Sequence, residues 1–266
     1  MEQAQAGGAL KAEWVSVLAE AIRSGLPVVS GLHRKLSEES ELVKAAAASG
    51  QQLIDIRVPP ASISIATGRR RSGKRLLMVG TDCCVGKKYS ALSLHKALKE
   101  RGIAATFRAT GQTGILIAGR GIPMDAVVSD FLSGAAETLT PDAATDHWDV
   151  IEGQGSLFHP AYAAVTLGLL HGSQPDAMVL CHGVGRMVID EYEDYPVPDL
   201  RDCVAQYEQA ARVTNRVSSI VGISLNTQGL SDDEAVRACR DNSTLTGLPC
   251  VDPMRHALDS ILDALP

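Results

Sequence analysis

An apolar run at 76–80 passes directly into Gly80-Thr81-Asp82-Cys83-Cys84-Val85-Gly86-Lys87-Lys88-Tyr89-Ser90, and a helical pattern begins there. Few folds accommodate that succession. Glycines let the loop turn several backbone N–H groups towards one anion, and the start of the helix adds partial positive charge. Lys87 follows Gly86 as the lysine of a phosphate-binding loop does, with one extra residue ahead of the Gly-Lys pair. Residues 80–89 are therefore expected to bind a ligand that carries phosphate or pyrophosphate.

The rest of the chain alternates around this loop. Apolar strands at about 76–80, 103–107, 148–152, 177–181, 217–223 and 248–251 are separated by helical stretches at about 87–100, 124–138, 160–170, 199–212, 231–240 and 254–264. This rhythm predicts an α/β fold of the P-loop NTPase-like, doubly wound type, with a mostly parallel sheet covered on both faces. Ahead of it lie a helix at 11–24, a strand at 26–29, a helix at 37–48, a strand at 53–56 and the break Pro59-Pro60. Two such units are too few to close a core alone. Residues 1–68 are accordingly expected to be part of a domain, 69–75 an exposed basic linker, and 76–266 the P-loop domain.

Composition narrows the function. The 266 residues carry a formal net charge of −6 and only 4% aromatics. An acidic chain poor in stacking rings is not expected to bind nucleic acid. No apolar run approaches the ~20 residues of a membrane span. The first residues show no basic stretch followed by an apolar one, so no secretory signal is expected. The six cysteines form no C-x-x-C pair, which argues against structural zinc and suits reduced thiols in the cytoplasm.

Ligands of such sheets bind beyond the carboxyl ends of the strands. Each strand end is therefore a candidate for chemistry. After Gly86-Lys87, a nucleotide hydrolase places Ser or Thr to ligate Mg²⁺. This chain places Lys88 there, which cannot ligate a metal and adds a second cation; Tyr89 or Ser90 is the alternative source of a hydroxyl. The next strand runs into Arg108-Ala109-Thr110-Gly111-Gln112-Thr113-Gly114, where Arg108 suits bidentate pairing with a carboxylate or belongs to a solvated loop. The third ends in Glu152-Gly153-Gln154-Gly155-Ser156, with Glu152 a general base or a water-mediated Mg²⁺ holder. His159 follows as a ligand contact or helix-start residue. The fourth ends in His182-Gly183-Val184-Gly185-Arg186, with His182 either a proton carrier or a hydrogen-bonded structural residue. Arg186 is a second candidate for a carboxylate. Asn226, at the fifth strand's end, suits the edge of an adenine ring or a turn.

The string at 80–87 resembles the P-loop of the dethiobiotin synthetase group. A longer resemblance runs through Ser30-Gly31-Leu32-His33, Asp55-Ile56-Arg57-Val58-Pro59-Pro60, Gly80-Thr81-Asp82-Cys83, Arg108 to Gly114, Glu152 to Leu157 and His159-Pro160-Ala161. These strings are similar to the P-loop-like family that includes the D-glutamate N-acetyltransferases. The resemblance implies a Rossmann-like, truncated N-terminal domain over 1–68 and an N-acetyltransferase acting on an acidic amino acid, D-glutamate first. It implies acetyl-CoA as cofactor, no metal, and a homo-oligomer acting on a small molecule. Gly80, Thr81, Asp82, Cys83, Cys84, Val85, Gly86, Lys87, Lys88, Tyr89 and Asn226 would then bind the cofactor. Arg108, Thr110, Gln112, Thr113, Gly114, Gln154, Ser156 and Arg186 would meet the substrate, with Glu152 or His182 as base and N–H groups near Gly114 or Gly155 facing the oxyanion. The rival reading is an ATP- and Mg²⁺-dependent ligase or kinase with Asp82, Asp130 and Glu152 around the metal. A non-catalytic nucleotide-binding protein is the third.

Overall fold

The computed structural model describes residues 10–266. The first residues, on which the expectation about a secretory signal rests, lie outside the described residues. The N-terminal part runs α1 (Ala12–Arg23), β1 (Val28–Ser30), α2 (Ser40–Ser49) and β2 (Leu53–Asp55), with β1 and β2 paired in parallel. Ala19 and Ile22 of α1 meet Leu42, Ala45 and Ala46 of α2 and Leu36 in a small apolar cluster of their own. Gly50 stops α2 in the left-handed conformation at φ 69°, which a side chain would strain.

The main body continues with β3 (Lys74–Gly80), α3 (Lys87–Glu100), β4 (Ala105–Arg108), α4 (Gln112–Ala118), α5 (Leu132–Leu139), β5 (Trp148–Ile151), α6 (Ala163–Ser173) and β6 (Ala177–Gly183). It ends with β7 (Val188–Ile189), β8 (Tyr192–Pro196), α7 (Leu200–Ala211), β9 (Ser219–Asn226), α8 (Asp232–Thr246), β10 (Cys250–Val251) and α9 (Asp259–Leu262). Six strands form one sheet in the order β10-β9-β6-β3-β5-β4, every pair parallel. The expected doubly wound sheet is present. Burial on both faces explains why these strands read as unbroken apolar runs. Leu77, Val79, Ile151, Met178 and Leu180 face a core closed by α5, α6 and α7. Leu76, Met78 and Val150 face Leu94 and Leu98 of α3 and Ile261 of α9.

Two expectations differ from the structure. The basic stretch 69–75 is only in part an exposed linker: Arg69, Arg70 and Ser72 are exposed, but Arg71 is 6% and Arg75 1% exposed. Arg71 donates through Nε to Thr140 O (2.7 Å) and through Nη2 to Gly172 O (2.7 Å), closing the ends of α5 and α6, and Arg75 already belongs to β3. The helix expected over 124–138 is two short 3₁₀ turns followed by α5, with Asp130 on the exposed turn 129–131.

Candidate functional site

β3 lies between β5 and β6, so the chain leaves it to one side through β4 and β5 and later to the other through β6, β9 and β10. The loop after β3 therefore sits at the point where strand order reverses, where a crevice opens above the strands' carboxyl ends. Its backbone bends through Cys84 (φ 55°) and Gly86 (φ 103°) to start α3. Its first residue is clamped from below: the Gly80 carbonyl accepts from Tyr207 Oη (2.7 Å) and Ser156 Oγ (2.8 Å). Thr81 N–H donates to Cys181 O (3.0 Å), and the Thr81 hydroxyl meets His182 Nδ1 at 2.9 Å.

Lys87 is 7% exposed and donates from Nζ to Asp82 O at 2.7 Å. Burial pushes its pKa down. Asp82 is fully buried and accepts from Cys83 N–H (2.6 Å), Asp190 N–H (2.8 Å) and Arg186 Nη1 (3.0 Å). Its carboxylate thus ties the P-loop to the segment after β6, which differs from the metal-ligand role of the rival reading. Asp130, the second ligand of that reading, lies on the exposed turn between α4 and α5. A carboxylate oxygen of Asp82, the Cys83 Sγ and a ring nitrogen of His159 do lie within 4.8 Å of one another. His159, however, accepts Ala161 N–H at Nδ1 (3.1 Å), and burial pushes the Cys83 thiol up to about 11.

The loop divides two cavities that share Gly86 and Tyr89. One, of about 450 Å³, is walled by Cys83, Cys84, Lys87 and Lys88, by Gly111, Gln112 and Thr113, and by Glu152, Gly153, Gln154 and Gly155, with Arg57 and Asp125 closing it. The other, of about 320 Å³, is walled by Val85, Ser90, Ser224, Asn226, Gln228, Asp252 and Arg255 among others. Asn226 is thus on the far side of the P-loop from Glu152. Ser90, a possible hydroxyl source, donates to Gly86 O (3.0 Å) and meets Ser224 Oγ at 2.7 Å. Tyr89 is exposed, with the Lys88 ammonium 4.7 Å over its ring.

Glu152 is 4% exposed. Its Oε2 accepts from Thr110 N–H (2.9 Å) and Gly111 N–H (3.1 Å). Burial raises its pKa; the two N–H groups and then the Lys88 and Lys87 cations pull the other way. A carboxylate with a raised pKa inside a cationic cavity suits proton abstraction. Thr110 also donates its hydroxyl to Glu152 O (2.8 Å) and accepts from Gln154 Nε2 (3.1 Å), so it braces the base from beneath. Gly153 is required here: a β-carbon would sit 1.8 Å from Met78 O and 2.9 Å from Lys87 Cδ. His182 lies outside the walls of the Glu152 cavity, half-buried, with its pKa lowered by burial and then by Arg186.

Two expected carboxylate partners stand elsewhere. Arg108 donates through Nε to the buried Asp149 (2.7 Å) and faces a separate cavity with Arg120 and Ile122. Arg186 holds Asp82 and also Asp190 (3.2 Å). Ser156 is buried beneath the loop rather than in the cavity. What the strand-end reading missed is Arg57, which follows β2 and reaches the same wall as Lys88 and Glu152. The signal was available, since Arg57 also stands just past a parallel strand's carboxyl end.

Fold and loop together define a P-loop α/β protein with a second, smaller parallel unit at its N-terminus. Residues 64–262 match the family described as "Domain of unknown function (DUF1611_C) P-loop domain", and residues 2–59 match "Domain of unknown function (DUF1611_N) Rossmann-like domain". The chain belongs to the DUF1611 family. It is similar to a D-glutamate N-acetyltransferase from Pseudoalteromonas sp., 49% identical over 259 residues that cover 97% of this chain and 78% of that one. A D-glutamate N-acetyltransferase from Tritonibacter scottomollicae is 49% identical over 262 residues, covering 98% and 79%. Among solved structures, a DUF1611 family protein from Anabaena variabilis aligns with a TM-score of 0.91 at 37% identity, covering 97% of this chain and 76% of that one. The family resemblance read from the motif strings is borne out. No helix among the described residues is long and apolar enough to cross a membrane.

Proposed function

We propose that this chain is an N-acetyltransferase that moves an acetyl group from acetyl-CoA to the amine of D-glutamate. The observation that carries the reading is 49% identity, over nearly the whole chain, to two proteins named for that activity. The residues of the site fit the donor. Lys87, Lys88 and the amides at the start of α3 suit a pyrophosphate. The cavity beyond Gly86, with Asn226, Ser224 and Arg255, suits the nucleotide end. Lys88 takes the place of a Mg²⁺-ligating hydroxyl, which suits a ligand whose phosphates are gripped but not cleaved.

When bound, acetyl-CoA supplies the acetyl group as an activated thioester. Glu152 would take a proton from the substrate ammonium and so free the amine to receive that acetyl group. Thr110 and Gly111 hold Glu152 for that transfer, and Gln154 shares the same wall. His182 acts at one remove, through its bond to Thr81 in the P-loop. A cytoplasmic homo-oligomer belongs to the same reading; the cysteines are all free thiols.

Calorimetric titration with acetyl-CoA and with Mg-ATP, followed by thiol release on adding D- or L-glutamate, tests this function. Acetyl-CoA binding and thiol release with D-glutamate are expected. Mg²⁺-dependent ATP turnover without any response to acetyl-CoA would overturn it in favour of a ligase or kinase.

A further inference from the structure

An acceptor with two carboxylates needs a cation beyond those that hold the donor's phosphates. The two arginines at the main strand ends are engaged, Arg108 by Asp149 and Arg186 by Asp82 and Asp190. Among the described residues, Arg57 is the one arginine lining the cavity that holds Glu152, and it comes from the N-terminal unit. Its side chain is 14% exposed and held from several directions. Nε donates to Gly31 O, Nη1 pairs with Asp125 and meets His33 Nε2 at 3.2 Å. With the Gln112 amide turned so that both of its ends are satisfied, Nη2 donates to the amide oxygen at 3.1 Å and the amide nitrogen donates to Gly31 O at 2.9 Å. A guanidinium has five N–H donors in a fixed fork, and these contacts leave one Nη2 N–H uncommitted.

We propose that Arg57 binds the side-chain carboxylate of the acceptor amino acid, with Asp125 as the resident counter-ion that the substrate displaces or joins. This assignment rests on the acetyltransferase reading. Asp125 shows what the guanidinium accepts in this cavity: one carboxylate, in ion pairing. Its own side chain is 29% exposed, so it has solvent to turn into when a ligand carboxylate takes its place. Gln112 fixes the guanidinium plane, and the contact is close enough that a β-carbon at Gly31 would sit 2.0 Å from the Gln112 amide. The N-terminal unit therefore reads the acceptor's acidity, while the P-loop unit holds the donor and the base.

The test compares D-glutamate with D-glutamine as acceptors in the wild type, Arg57→Gln, Arg57→Lys and Asp125→Asn. Loss of a charge-assisted hydrogen bond predicts that Arg57→Gln raises KM for D-glutamate by about 30-fold or more. Its KM for acetyl-CoA should stay unchanged and its preference for D-glutamate over D-glutamine should collapse. Arg57→Lys, which keeps the charge and loses the fork, should fall between. Asp125→Asn, which removes the carboxylate that competes with the substrate's, should lower KM for D-glutamate. A purely structural latch predicts instead that Arg57→Gln and Asp125→Asn fail alike, with acetyl-CoA affected and the acceptor preference retained; that result would overturn the assignment. A wild type that releases no thiol with D-glutamate overturns the acetyltransferase reading itself and this assignment with it.

Discussion

A β-carbon at Gly114 would lie 2.1 Å from Oε2 of Glu152 and 2.8 Å from its Cδ, so the first turn of α4 presses directly on the carboxylate. The same oxygen takes the N–H groups of Thr110 and Gly111. One loop thus sets the position of the proposed base, and a single methyl group is enough to disturb it. Gly114→Ala is expected to cost about 1–3 kcal/mol through overpacking. That corresponds to a fall in melting temperature of roughly 2–10 °C. Thiol release should fall at least about tenfold, as misplacement of a base does, with acetyl-CoA affinity kept. Thermal denaturation alongside steady-state kinetics checks both halves.

The raised pKa of Glu152 has a sign in two measurements. A base works deprotonated, so the acid limb of kcat/KM should lie above the ordinary glutamate value of about 4.3. Removing the Lys88 cation withdraws a contribution that favours the carboxylate, so Lys88→Ala should move that limb to higher pH. Stability runs the other way. A carboxyl whose folded pKa is raised contributes stability fully present below the unfolded pKa and lost as pH climbs through the folded value. Across that window the wild type should lose stability relative to Glu152→Gln, which should be nearly inactive yet at least as stable at neutral pH. Coincident acid limbs in wild type and Lys88→Ala would remove Lys88 from the electrostatics of the base.

How much of this was legible follows from where each group finds its partner. The sheet and the P-loop were readable because strands buried on both faces must be continuous apolar runs, and because the loop's glycines and lysine are contiguous. Glu152 was readable from its place at a strand's carboxyl end. Arg108 and Arg186 share that kind of place, yet Asp149 and Asp82, 41 and 104 residues away in sequence, hold them. Strand-end position marks a residue as available to the crevice and says nothing of a distant carboxylate that claims it. Arg71 and Arg75 made the opposite trap. A run of arginines reads as solvated, but here backbone carbonyls at the ends of α5 and α6 and the Asp176 carboxylate draw the guanidinium groups inside. Arg57 was overlooked because its strand belongs to a different sheet.

The two lysines of the loop should separate in mutants. Lys87 is buried and its ammonium satisfies the Asp82 carbonyl, so Lys87→Ala removes a loop brace as well as a phosphate contact. Lys88 is only partly buried and no carboxylate pairs with it among the described residues. Each contact to phosphate, as a hydrogen bond to a charged group, is worth about 1.5–3 kcal/mol, or roughly 10- to 150-fold in Kd. Lys88→Ala should therefore weaken acetyl-CoA binding by about that factor while the melting temperature holds. Lys87→Ala should lose binding and melt earlier. Equal melting temperatures for the two variants would contradict the bracing role.

Tyr207 offers a test of the loop's foundation that touches no wall of either cavity. Its hydroxyl donates to Gly80 O at 2.7 Å and accepts Leu157 N–H at 3.1 Å, wholly buried, so it joins the start of the P-loop to the segment after Glu152. Burial pushes its pKa up to about 12, which keeps it a donor throughout the working range. In Tyr207→Phe the Gly80 carbonyl still has Ser156 Oγ, but the Leu157 N–H (3.1 Å) and the Gly80 N–H (3.4 Å) both lose Tyr207 Oη as acceptor. Each buried N–H left unsatisfied costs about 1–3 kcal/mol, so the variant should melt at least about 2–10 °C lower. Because the ring still packs edge-on against Phe158 at 5.6 Å, the core should stay closed and the far-ultraviolet dichroism unchanged. Acetyl-CoA affinity should fall together with stability, since the loop's first residue and the strand end bearing Glu152 share this one hydroxyl. A variant that melts earlier yet binds acetyl-CoA as tightly as the wild type would show that the loop holds its shape without it.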